Sequence, residues 1–77
     1  MEINPNVKTV TIVVKRQGRT GFLGLVTAVN EDGSFGEFTK TWSGKTIGFV
    51  RTEVYKLKMD MIRQGMKEQQ IEVEYVK

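Results

Sequence analysis

Seventy-seven residues with neither a cysteine nor a histidine must draw their stability from one small apolar core or from oligomerisation. No disulfide can staple such a chain, and a structural zinc site lacks its usual ligands. The length predicts a single domain over residues 1–77. An apolar fraction of 39% suffices for a folded domain, and one proline, Pro5, argues against a disordered linker. The same two absences narrow the chemistry. The commonest general base, the commonest metal ligand and the thiol nucleophile are all missing. The expectation is a binding protein with no catalytic residue, no metal and no cofactor.

Patterning then indicates what packs on what. Val7 to Lys15 reads as a strand, because Val10, Ile12 and Val14 alternate with Thr9, Thr11, Val13 and Lys15 and β-branched residues dominate. Arg16 to Gly21 is polar with two glycines, a turn. Phe22 to Asn30 is apolar on both faces, which predicts a central strand, and Gly24 inside it suggests a bend or a close approach. Asp32-Gly33 marks a hairpin turn. Phe35 to Trp42 reads as a third strand, with Phe38, Lys40 and Trp42 on one face and Phe35 on the other, so that a bulge near Gly36 is expected.

Residues 43–52 support two readings. Ser43-Gly44 can close a turn before a fourth strand over 45–51. Alternatively, Ile47, Val50, Val54, Leu57 and Met61 form one helical stripe with a 3-4-3-4 spacing, and Ser43 could cap that helix. Gly44, Gly48 and the β-branched Thr46, Ile47 and Val50 disfavour the early helix, so the strand is preferred. From Glu53 to Gln64 a helix is expected, capped by Thr52 and stopped at Gly65. Gln70 to Lys77 closes the chain as a strand, with Ile71, Val73 and Tyr75 opposite Glu72 and Glu74. The sum is an α+β fold, a small antiparallel sheet in β-β-β-(β)-α-β order with one amphipathic helix packed on it. In element order alone this resembles small archaeal chromatin proteins with SH3-like barrels, and various small virus-encoded inhibitors. No motif accompanies the resemblance, so it transfers no residue.

Charge supplies the functional expectation. Residues 1–51 hold seven basic and four acidic side chains, while residues 52–77 hold five of each, so the whole excess of +3 lies in the first two-thirds. Lys15, Arg16 and Arg19 cluster at the first turn, and Lys40, Trp42 and Lys45 at the end of the third strand. An antiparallel meander brings those two clusters to one sheet end. Cations reach phosphates and an aromatic face stacks on an unpaired base, which predicts nucleic-acid binding through Lys15, Arg16, Arg19, Lys40, Trp42 and Lys45.

The alternative is a protein-binding regulator or inhibitor, of a virus-encoded type. It would act through Tyr55, Met59, Met66 and Tyr75, with Met59 and Met66 partly exposed, or through the edge of the last strand, and a homodimer seam is one form of it. Ser43-Gly44-Lys45-Thr46 matches the tail of a phosphate-binding loop, but position 39 is Thr where that loop requires Gly. No pair of carboxylates is spaced for acid–base work. Met1 to Pro5 carries no basic segment followed by an apolar run, and no stretch is long enough to span a membrane, so a cytoplasmic protein is expected.

Overall fold

The computed structural model describes residues 6–76, so Met1–Pro5 and Lys77, which entered the sequence reading, lie outside the described residues. Along the chain come β1 (Val7–Gln17), β2 (Gly21–Asn30), β3 (Phe35–Ser43), α1 (Ile47–Arg63), a single 3₁₀ turn (Glu68–Gln70) and β4 (Ile71–Tyr75). The first three strands form the expected antiparallel meander. Gly18, with φ of 67°, turns the first hairpin, and Gly33, with φ of 88°, turns the second. β4 then pairs with the far side of β1 and runs parallel to it, giving the order β3-β2-β1-β4. A parallel return needs a crossover, and α1 supplies it. Among the described residues the sheet is therefore mixed and open, with β3 and β4 as its edges, and does not close into a barrel.

Period-two alternation places one face of this sheet under α1. Val10, Ile12 and Val14 of β1 and Phe22 and Val26 of β2 meet Val50, Val54 and Met61 of the helix, with Met66 and Ile71 completing the core. The pairing of β2 with β3 runs without a break from Gly21↔Ser43 to Val29↔Phe35, so the bulge expected near Gly36 is absent. The irregularity falls on β1, between Val7 and Thr9. Phe35 simply points away from the helix, as strict alternation requires.

The preference for a strand over 45–51 is overturned. The helix begins at Ile47, because burying Val50, Val54 and Met61 against the sheet outweighs the propensity cost of Gly48, about 1 kcal/mol, and of the β-branched residues. The cap is accordingly Thr46, whose hydroxyl accepts from the Phe49 N–H at 3.2 Å, and not Thr52. Thr52 sits one turn into the helix and donates its hydroxyl to the Gly48 carbonyl. Thr46→Ala is expected to cost about 1 kcal/mol, read as a fall of roughly 4–8 °C in melting temperature. An unchanged melting curve would show that this cap does not hold the helix start.

At the other end Gly65, at φ of 107°, follows the last helical turn, as its sequence position implied. The Met66 N–H donates to the Met61 carbonyl and the Gly65 N–H to that of Ile62, the paired bonds of a Schellman cap. That cap folds Met66 back onto Met61, so Met66 is buried and the expectation that it is partly exposed fails. No helix among the described residues is long and apolar enough to cross a membrane.

Candidate nucleic-acid interface

One end of the sheet gathers the last residues of β1, β3 and β4 together with the first turn of α1. The Gly44 N–H donates to the Thr20 carbonyl at 2.8 Å, tying the β1–β2 loop to the β3–α1 loop. The Val76 N–H donates to Val14, bringing the end of β4 alongside. Lys15 and Arg16, adjacent on a strand, point to opposite faces, and Arg16 goes to the helix side.

The register therefore sets Arg16, Arg19 and Lys45 around a hollow of about 280 Å³ at the start of α1, with Thr46 in its wall. A second hollow of about 240 Å³ adjoins it, shares Arg16, Phe22 and Ile47, and adds Arg51 and Tyr75. Among the described residues no carboxylate lines either one. Residues 15–30 and 38–52 carry six basic side chains and no acidic one. Among the described residues none of the four lining cations is in an ion pair; the Lys58–Glu68 pair lies toward the other end of α1. The helix N-terminus adds partial positive charge to the same place.

Three of the four lining cations are steered by an aromatic ring. Arg16 lies 5.5 Å from the Phe22 centroid, Lys45 4.8 Å from Phe49 and Arg51 5.2 Å from Tyr75. Such contacts hold flexible side chains near one position at a gain of about 0.5–1 kcal/mol each where exposed. Phe49 and Tyr75 remain 41% and 36% exposed, so both rings also present a face to solvent.

The other three expected members sit elsewhere, Lys15 on the opposite face of β1. Lys40 and Trp42 lie on the helix side of β3 and line an apolar cavity of about 220 Å³ with Phe38, Glu53, Val54 and Leu57. Lys40 is 5.9 Å from the Trp42 centroid. The indole packs flat over β2: a Cβ on Gly24 would stand 2.9 Å from its Cη2 and Cζ3. That is the close approach that Gly24 implied. Trp42 is thus half-buried wall, and among the described residues its buried Nε1 has no hydrogen-bond partner. Gly24→Ala should displace the ring, cost about 1–3 kcal/mol and shift tryptophan emission to longer wavelength. Unaltered emission would show that the ring does not rest on this glycine.

Arg51 and Phe49 were missed by the sequence reading. The signal that finds them is the helical stripe from Ile47, since Lys45–Phe49 and Ile47–Arg51 are neighbours only if this stretch is helical. Of the alternative protein-binding set, Tyr55 is exposed one turn beyond Arg51, Met59 is half-buried and Tyr75 is held against Arg51, whereas Met66 belongs to the core.

The acidic turn Glu31–Asp32 lies at the opposite end of the sheet. There the Asp32 carboxylate accepts from the Ser34 hydroxyl at 2.6 Å and the Ser34 N–H at 2.9 Å, which holds its pKa below the ordinary value. The turn keeps that support above the usual carboxylate range and loses it as pH falls through the lowered value. Among the described residues no three acidic side chains converge as a metal site requires. No family model matches this chain, and no curated protein or solved structure matches it.

Proposed function

We propose that this protein is a non-catalytic nucleic-acid-binding module that grips a single strand at the basic end of its sheet. Arg16, Arg19, Lys45 and Arg51 contact phosphates, Lys15 and Lys40 extend the positive field to either side, and Phe49 and Tyr75 offer faces on which bases stack. Trp42 supports β3 and takes no base. One observation carries this reading: four cations surround two adjoining hollows that, among the described residues, no carboxylate lines. A duplex fits less well, because neither a protruding helix nor a ribbon stands ready to enter a groove. The absence of cysteine suits a reducing, cytoplasmic setting.

The reading is tested by fluorescence anisotropy with a labelled mixed-sequence single strand at several salt concentrations. Four phosphate contacts predict a slope of log K against log salt of roughly −3, at about −0.7 per contact. Failure to bind at ~50 mM salt, or binding with a slope near zero, contradicts it.

A further inference from the structure

The two edges of the sheet are unlike. β4 is five residues long and carries Glu72 and Glu74. Antiparallel pairing of two copies about Val73 would set Glu72 directly against Glu74, so that edge repels itself. β3 is nine residues long, is exposed along almost its whole length and bears one acidic and one basic residue, Glu37 and Lys40. Of the usual edge defences it carries a single lysine, Lys40 on the helix side, and it has no proline, no bulge and no run of like charge.

The phase of the β2–β3 ladder shows what this edge offers. The bonds at its two ends, Gly44 N–H to Thr20 and Asn30 N–H to Ser34, join even-numbered residues. Gly36, Phe38, Lys40 and Trp42 therefore spend their backbone groups on β2. The N–H and C=O groups of Phe35, Glu37, Thr39, Thr41 and Ser43 point outward. Thr39 is both the midpoint of β3 and one of these outward residues.

We infer that β3 is the seam of a homodimer, in which two copies pair antiparallel about Thr39 to form one continuous eight-stranded sheet. In this register Thr39 faces its own copy, Glu37 faces Thr41 and Phe35 faces Ser43, and all of these are outward residues that can bond. On the helix side Phe38 faces Lys40, and Gly36 faces Trp42. No like charges meet, and the Thr–Thr, aromatic–cation and Gly–Trp pairs are of favourable kinds. All nine residues of each strand are used. A slip of two residues either way shortens the ladder to seven, and one of the two also opposes Lys40 to Lys40.

The same register continued beyond the strands carries Lys45 of one copy alongside the acidic turn at Glu31–Asp32 of the other. The basic ends of the two copies then point in opposite directions. Because the two-fold axis is normal to the sheet, both α1 helices lie on one face. They leave a valley over the paired β3 strands, floored by Phe38, Lys40 and Trp42 of each copy.

Sedimentation equilibrium over a concentration range, run on the wild-type protein and on Thr39→Pro, tests the seam. A proline at an outward edge position costs the monomer no sheet bond but removes both central bonds of the seam. The wild type should reach twice the chain mass of 8.8 kDa. Thr39→Pro should dissociate roughly thirtyfold more readily, with an unchanged circular dichroism spectrum.

Cysteine cross-linking gives an independent readout should Thr39→Pro fail to fold. A mixture of Phe38→Cys and Lys40→Cys should form a disulfide-linked dimer on mild oxidation, and either variant alone should not, because the native chain has no cysteine and only the mixed pair is adjacent. A wild-type monomer at every concentration overturns the proposal and gives the β3 edge to an extended segment of a different protein. A dimer that Thr39→Pro leaves intact, or a cross-link that forms equally well in the single variants, overturns it too.

Discussion

Replacing Arg16, Arg19 and Lys45 together by glutamate should weaken single-strand binding by at least about a hundredfold at low salt, while the melting temperature stays close to that of the wild type. Three of the four lining cations are reversed, so phosphate attraction becomes repulsion in the same hollow. All three side chains are exposed and none is in an ion pair among the described residues, so the fold loses only weak ring contacts and the long, exposed bond from the Arg16 guanidinium to the Arg19 carbonyl. The control is Arg63→Glu with Lys67→Glu, the same kind of change at the far end of α1, where both residues are exposed. It should alter affinity by no more than a fewfold, through the general field alone. Equal losses in the two variants would mean that net charge binds the strand and that the hollows do not.

Met61→Ala is expected to be the most damaging single truncation. Met61 is fully buried and joins the helix stripe to the sheet, and Met66 folds back onto it through the C-terminal cap. Removing it leaves a cavity that the surroundings fill only in part, at a cost of about 2–5 kcal/mol. A domain of this size has a total stability of about 4–12 kcal/mol, so the variant sits near the edge of folding. Denaturant melts should show a midpoint far below that of the wild type with a similar slope. Met59→Ala, on a half-buried position two residues away, should cost less than about 1 kcal/mol. Comparable losses at the two positions would contradict the core as described.

Much of this architecture was legible in the chain because alternation is a local signal. β1 and β2 are dense in β-branched and large apolar residues, and their bounds were read to within a residue or two. The helix start was hidden because two local signals competed. Gly48 and the β-branched residues oppose a helix, and only the stripe from Ile47 to Met61, whose value lies in tertiary burial, favours one. Strand direction was also out of reach: nothing within Ile71 to Tyr75 distinguishes parallel pairing with β1 from antiparallel pairing at another edge.

The meeting of the two basic loops followed from hairpin geometry and needed no helix, so the convergence of Arg16, Arg19 and Lys45 was legible. Arg51 and Phe49 depended on the helix phase and were not. Trp42 looked like a stacking platform because its sequence neighbours are cationic. The residue under its ring on the neighbouring strand, Gly24, lies eighteen positions away and leaves the space that the ring fills.

Backbone amide chemical shifts recorded while a short single-stranded oligonucleotide is titrated into the isotope-labelled protein test the central claim most directly. Perturbations should concentrate at residues 16–22, 43–51 and 75–76, with the Glu31–Asp32 turn and the 3₁₀ turn at Glu68–Gln70 unmoved. Shifts centred on the opposite end of the sheet, or spread evenly over the molecule, would contradict it.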